Sequence, residues 1–304
     1  DIEKIAASRG ISEVFVLAGS LPGSKMRDLM DRCRKIELPL SVIPQAPSRV
    51  QGQKTIPLRP IDINDLLQRE PIQLDTQVIN ELVRGKRVMV TGAGGSIGSE
   101  ICRQVIRFEP ETLVLLGRGE NRIFFLEREL KQLGHPTKLI PRIADVVNEK
   151  RVSSIMDEQR PEVVFHAAAH KHVPLMEQNV TEAVRNNILG TKNVADLCDE
   201  FDVKTFVLVS TDKAVHPTSI MGTSKHMAER YVNAISKGSS TRFVVTRFGN
   251  VLGSAGSVVP IFQKQIANGG PITVTDMKMT RYFMTIPEAS QLVLQAAAMG
   301  QGGE

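Results

Sequence analysis

Between Lys86 and Asn250 the chain repeats one pattern: a short, nearly continuous apolar run, then a helix-length segment. The runs are KRVMVTG, TLVLLG, TKLIPRIAD, EVVFHAAA, KTFVLVST and TRFVVTRFGN. A strand that is apolar at every position, not at every second one, is buried on both faces, as parallel strands covered by helices are. Strands that alternate with helices return by right-handed crossovers, so the economical topology is a doubly wound sheet. The predicted fold is α/β: a Rossmann-type doubly wound parallel sheet with a small, incomplete substrate lobe and a partial N-terminal α/β unit.

That partial unit occupies residues 1–58, where SEVFVLAG and SKMRDLMDRCRKIELPLSVIP read as strand, helix, strand. Residues 59–85 read as a linker carrying a short helix capped near Asp62 or Asn64, in a stretch punctuated by Pro44, Pro47, Pro57 and Pro60. Residues 86–304 form the main domain. Asp1 enters directly into a helix-like run, and QGGE follows an apolar helix pattern without a closing strand. The expectation is a portion of a longer protein, with the main domain truncated at its C-terminus.

Composition narrows the function. A net charge of +5 with no tryptophan, two tyrosines and no basic tract argues against a stacking nucleic-acid surface and suits an anionic small substrate. No apolar run approaches the length of a membrane span, and no signal peptide opens the chain. Cys33, Cys102 and Cys198 stand in no metal or redox spacing and read as reduced thiols.

The first strand of the main domain runs into VTGAGGSIGSE, with Gly92, Gly95 and Gly98 spaced between a strand and a helix. Glycine permits the tight turn and lets backbone N–H groups approach a pyrophosphate at the helix N-terminus, so residues 92–98, with Ser96 and Ile97, are assigned to a dinucleotide. At the end of the second strand, Gly117 stands where an acid would accept the ribose hydroxyls of NAD, and Arg118 follows. An arginine there favours the 2′-phosphate of NADP. Glu120 competes with that assignment, and Arg118 is equally readable as a solvated charge. Asp145, with Val146, closes the third strand where an adenine would lie, although Asp145 also suits a capping role. Ala167, Ala168 and Ala169 let the chain pass close to a flat cofactor. His166, His170 and His172 have no carboxylate or cysteine set to complete a metal site, so none is assigned. His170, Lys171 and His172 instead face a substrate phosphate or solvent.

After the fifth strand comes STDKAVHPTSIMGTSK, Ser210 to Lys225. Thr211, Asp212 and Lys213 supply a hydroxyl, a carboxylate and an amine where ligands sit on such sheets. Taken alone, Asp212 and Lys213 would read as a surface ion pair. A Tyr-x-x-x-Lys pair is the usual acid–base device after a loop of this kind, yet Met221 stands four residues before Lys225 and can neither give nor take a proton.

Residues 86–304 resemble the extended short-chain dehydrogenase/reductase superfamily. More narrowly they resemble its CapD-like polysaccharide-biosynthesis group, the nucleoside-diphosphate-sugar 4,6-dehydratases. The resemblance is carried by VTGAGGSIGSE, FHAAAHKHVPLME, NNILGT, VSTDKAVHPTSIMGTSK, RFGNVLGSAGSV and MTRYFMTIPEA. In that group methionine at the tyrosine position is a known variant. The resemblance implies a UDP-N-acetylglucosamine 4,6-dehydratase with a bound NAD(P), leaning to NADP. It implies Asp212 as the acid for loss of the C6 hydroxyl, Lys213 as the C5 base, Thr211 on the C4 oxygen and Lys225 on the nicotinamide ribose. Such acid and base roles call for pKa values moved towards neutrality. Either Asp212 or a water held by Thr211 takes the C4 hydroxyl proton. Asn250 and Arg281 are implied on the nucleotide diphosphate; their plainer roles are a turn residue and a surface ion pair. A homo-oligomer, tethered by a segment absent here to the cytoplasmic face of the bacterial inner membrane, completes the implication. A 4-epimerase or 4-reductase, or a non-catalytic cofactor-binding domain, is the alternative.

Overall fold

The computed structural model describes residues 2–43, 59–60, 75–254, 256–274 and 276–304. The chain divides into two compact units, Asp1–Ile72 and Gln73–Glu304. In the first, α1 (Ile2–Arg9) precedes β1 (Val14–Leu17), α2 (Gly23–Lys35), β2 (Leu40–Ile43) and β3 (Arg59–Pro60). β1 and β2 pair in parallel, and β3 adds antiparallel to β2. Among its described residues, Val16, Met26, Cys33 and Val42 are buried. The strand–helix–strand order matches the sequence reading, whereas the helix expected near Asp62 or Asn64 lies outside the described residues.

The second unit opens with α3 (Thr76–Val83), a helix within the segment read as linker. Asp75 caps it, accepting from the backbone N–H groups of Gln77 and Val78, and Ile79 and Val83 are fully buried. There follow β4 (Arg87–Thr91), α4 (Ser96–Val105), β5 (Thr112–Gly117), α5 (Glu120–Gln132), β6 (Lys138–Ile143), α6 (Glu149–Gln159) and β7 (Val163–His166). Next come α7 (Val173–Gln178), α8 (Val180–Ala183), a π-helical segment at Val184–Leu189, α9 (Gly190–Glu200), β8 (Thr205–Thr211) and α10 (Ile220–Ile235). The last elements are β9 (Arg242–Phe248), β10 (Asn250–Val251), α11 (Val258–Ala267), β11 (Phe283–Met284) and α12 (Ile286–Met299).

Each of the expected strands forms, and they assemble into one all-parallel sheet in the order β6-β5-β4-β7-β8-β9. Side chains alternate between its faces, as a strand's period of two requires. Val88, Val90, Leu113 and Leu115 enter the core shared with α3, α4, α5 and α12, while Met89, Val114 and Leu116 enter the core shared with α6, α9 and α10. The chain order reverses between β4 and β7, and this switch point is where open α/β sheets bind ligands. β10 and β11 form a separate parallel pair beyond the carboxyl edge. Among the described residues, no helix is long and apolar enough to cross a membrane.

Candidate active site

A cleft of about 1320 Å³ runs along the carboxyl edge of the sheet, from Gly117 and Asp145 at one end to Asn250 and Val258 at the other. Pockets for one small ligand are typically ~300–1,000 Å³, so this cleft has room for two ligands laid end to end.

Its floor is the glycine loop. Gly92 holds a φ of +66°, the left-handed region open to glycine. A Cβ on Gly92 would sit 2.6 Å from the backbone nitrogen of Ala168, and one on Gly98 would sit 2.2 Å from the Gly92 carbonyl oxygen. The glycines are therefore required by close backbone approach. Gly95 is the N-cap of α4 and brings no side-chain oxygen to its first amides, which leaves that helix start suited to a pyrophosphate. Ser96, Ile97, Ala167, Ala168 and Ala169 line the same stretch. These residues fit a dinucleotide.

At one end of the cleft Arg118 is held between two neighbours. Its guanidinium lies 3.7 Å from the Asp145 carboxylate and donates to His170 Nε2 at 3.4 Å. Burial and the Arg118 charge together lower the His170 pKa, so the ring accepts as the neutral form. Asp145 also accepts from the Val147 amide at 3.0 Å, a local turn contact. Arg122, on the first turn of α5, lines the cleft beside Arg118, with its stem against Gly94 and Gly119. Glu120 does not line the cleft. Val146 does, and its carbonyl accepts from Asn193 on α9.

Behind the floor, His166 is fully buried. Thr191 Oγ1 gives its one proton to the Asn187 carbonyl at 2.7 Å, so it must accept from His166 Nε2 at 3.1 Å; Thr91 then donates to Nδ1 at 2.8 Å. Burial, with the Lys225 charge adding to it, pushes the His166 pKa down to about 3. The unfolded chain binds a proton there near pH 6.5 and the native chain does not, so stability falls as pH drops from 6.5 towards 3. The loss by pH 3 is about 4 kcal/mol. Urea unfolding at pH 7 and pH 4 should show this slope, and His166→Gln should flatten it; an unchanged slope in the variant would assign the acid sensitivity elsewhere.

Asn187 ties the loop after β7 to α10. Its side chain accepts from the His170 amide at 2.8 Å and donates to the His170 carbonyl and to Ser224 Oγ, each at 2.9 Å. It sits in the π-helical segment, whose wider turn aims Asn186 and Asn187 inward; both are buried.

The reactive end is built by the turn after β8. Thr211 Oγ1 donates to Asp212 Oδ1 at 2.9 Å, and Lys213 Nζ donates to the same oxygen at 3.0 Å and to Asn250 Oδ1 at 3.1 Å. Thr211 and Lys213 line the cleft, while Asp212 lies just behind them against Gly249. Desolvation works to raise the Asp212 pKa, but the bonds from Lys213 and Thr211 outweigh it and hold the carboxyl below its usual range. This departs from the expectation of an acid poised near neutrality: the ion pair keeps Asp212 a carboxylate.

α10 reaches this turn because Gly222 lets it approach. A Cβ there would lie 2.5 Å from the Lys213 carbonyl oxygen. Ser219 caps the helix, accepting from the Gly222 amide at 3.1 Å. Met221 lines the cleft yet is 4% exposed, packed with Met176 and Ala183. Lys225, one turn on, is also 4% exposed, and its Nζ donates to the Val209 carbonyl at 2.8 Å. Burial lowers its pKa to about 8, with the Glu229 charge opposing the fall.

From the other side, Lys171 donates to Ser254 at 3.3 Å, and both residues line the cleft. Desolvation there lowers the Lys171 pKa. Arg281 is not brought in: it is exposed, donates to the Thr280 carbonyl at 2.7 Å and does not line the cleft. Asn250 sits on Lys213, at the reactive end. Sequence reasoning left Arg122, Asn187 and Gly222 without roles. A second arginine four residues after Arg118 was the available signal for the first; the others depend on contacts between distant segments.

A doubly wound sheet, a glycine cradle at its switch point and a buried lysine behind it define the extended short-chain dehydrogenase/reductase class. The chain belongs to the polysaccharide biosynthesis protein family, whose profile matches residues 88–304. It is 48% identical over 307 residues to the capsular polysaccharide biosynthesis protein CapD of Staphylococcus aureus, covering all of this chain and 51% of that protein. It thus spans about half the length of that relative. A Campylobacter jejuni protein named UDP-N-acetylglucosamine 4,6-dehydratase (inverting) is 36% identical over 228 residues, 73% of this chain and 66% of that one. Among solved structures, Pen from Bacillus thuringiensis superposes with a TM-score of 0.69 at 38% identity, covering 73% of this chain and 68% of that one.

Proposed function

We propose that this chain is the catalytic portion of a nucleoside-diphosphate-sugar 4,6-dehydratase acting on UDP-N-acetylglucosamine. The observation that carries the reading is the Thr211–Asp212–Lys213 network beside Met221, where proton chemistry is available without a tyrosine. The similarity to the C. jejuni dehydratase supports it. Gly92, Gly95 and Gly98 would hold a nicotinamide dinucleotide along the glycine loop, and it would supply the hydride chemistry between C4 and C6.

The chain's own groups then handle the protons. Thr211 faces the C4 hydroxyl and passes its own proton to Asp212 as it receives the substrate's. Asp212, held as a carboxylate, is ready to accept. Because its pKa is low, the proton it gains is released readily. Returned through Thr211, that proton leaves with the C6 hydroxyl as water. Lys213, a cation beside Asp212 in the free protein, first gives one proton to solvent. The amine then takes the C5 proton acidified by the new ketone, returns a proton to C5, and regains its own from solvent after turnover. Atoms balance as loss of one water, with no net redox change. Lys225 would hold the nicotinamide ribose, and Met221 closes the wall where it touches no proton.

Purified protein incubated with UDP-N-acetylglucosamine in heavy water should give a 4-keto-6-deoxy sugar nucleotide with deuterium at C5. A C4 epimer would select an epimerase, and no product would sink the dehydratase reading.

Arg118 and Arg122 at one end of the cleft, without Glu120 in the wall, support NADP over NAD. A hydrogen bond to a charged group contributes about 1.5–3 kcal/mol, so Arg118→Ala with Arg122→Ala should weaken NADP binding about tenfold or more and leave NAD nearly unchanged. Calorimetric titration of both dinucleotides reads this. Equal affinities in the unaltered protein would remove the preference.

A further inference from the structure

Glu229 lies on α10 one turn after Lys225 and is 2% exposed, yet the chemistry above gives it no part. Its carboxylate accepts the Ser210 hydroxyl and, from Arg247, Nε at 3.0 and 3.2 Å and a terminal nitrogen at 2.6 Å. Ser210 lines the cleft next to Thr211, and Arg247 stands on β9 with its side chain 44% exposed. Burying a carboxylate costs several kcal/mol even when it is paired, and a well-packed apolar trio often holds a core at least as well. An apolar trio cannot place a negative charge one helical turn from a buried lysine.

The surroundings of Lys225 make that charge count. His166 on β7 is neutral, and Arg247 on β9 and Lys213 on the turn are cations. Asp212 is bonded to Lys213 and Thr211, and His226 on α10 faces the Ala214 carbonyl. We propose that Glu229 is a positioning residue: a buried counter-charge, locked by Arg247 and Ser210, that keeps Lys225 an ammonium against the end of β8. Its support includes the direction in which Glu229 moves the lysine, against the pull of burial. The assignment rests on the dehydratase reading only for the use made of that ammonium.

The test follows the Lys225 signal by NMR in lysine-labelled protein, with Lys225→Arg to assign it. In the unaltered protein the signal should titrate near pH 8. Glu229→Gln keeps the shape and the bond to Ser210, and the half-exposed Arg247 is resolvated. Losing a nearby opposite charge should move the midpoint down by about one pH unit or more, and nicotinamide dinucleotide affinity at pH 7.5 should fall with it. Glu229→Asp, which keeps the charge, should stay within about half a unit of the original midpoint. It decides the matter alone if the Gln variant does not fold. An unmoved midpoint in Glu229→Gln, or a Glu229→Asp shift of a full unit, would overturn the assignment. Shifts as expected in a protein that forms no 4-keto sugar would instead count against the dehydratase reading.

Discussion

Asp212→Asn is expected to lower dehydration of UDP-N-acetylglucosamine by about 10²–10⁴-fold, the range that a positioned acid–base group contributes, while dinucleotide binding is retained. The asparagine keeps the shape and can still accept from Thr211 and Lys213, but it cannot take a proton. Lys213→Ala should be as damaging for a different reason: it removes the C5 base and also frees the Asn250 side chain. The two variants separate by isotope. Asp212→Asn should stop product formation and C5 exchange together, because no ketone forms to acidify C5. Lys213→Ala should still pass hydride to the dinucleotide, seen as absorbance at 340 nm, with no deuterium entering at C5. Near-full turnover in either variant would remove that residue from its role. The cleft-lining glycines and alanines are untouched by these changes, so calorimetric dinucleotide affinity is the internal control.

Gly98→Ala is expected to abolish dinucleotide binding. Its new methyl would stand 2.2 Å from the Gly92 carbonyl oxygen, and backbone on both sides must move to relieve it. Overpacking of this kind costs about 1–3 kcal/mol in stability. The larger effect falls on the ligand, because the displaced atoms are the ones a pyrophosphate would approach. Gly238→Ala is the matched control, since a methyl there meets nothing within 4 Å. Calorimetry should show no measurable binding for Gly98→Ala and unchanged binding for Gly238→Ala. Wild-type affinity in Gly98→Ala would mean that the loop relaxes freely and is no cradle.

What could be read from residue order follows from what is local in the chain. Six apolar runs bounded by helix patterns report burial on both faces, and each became a parallel strand of one sheet. Gly92, Gly95 and Gly98 were legible because a tight turn into a helix is a backbone demand made within seven residues. α3 was not read as a helix because its apolar stripe, Ile79 and Val83, gains meaning only against α12, far along the chain. Met221 shows the division well. Its type excludes tyrosine chemistry from sequence alone, whereas its packing with Met176 and Ala183 required the fold.

Charge was the least legible property. Lys225 and Glu229 are spaced like any helix-surface ion pair, and only their burial turns them into a lysine at about 8 and its counter-charge. Asp212 reads as an acid from its motif, but its charge state comes from Lys213 and Thr211 at about 3 Å. Arg281, expected at the ligand, lies outside the cleft, and Arg122, unremarked in the sequence, lies in its wall. Residue order by itself determined the sheet, the dinucleotide loop and the absence of a catalytic tyrosine at position 221. Tertiary structure alone decided which charges are buried, which meet and which face water, because electrostatic energies depend on distance and desolvation, and folding sets both.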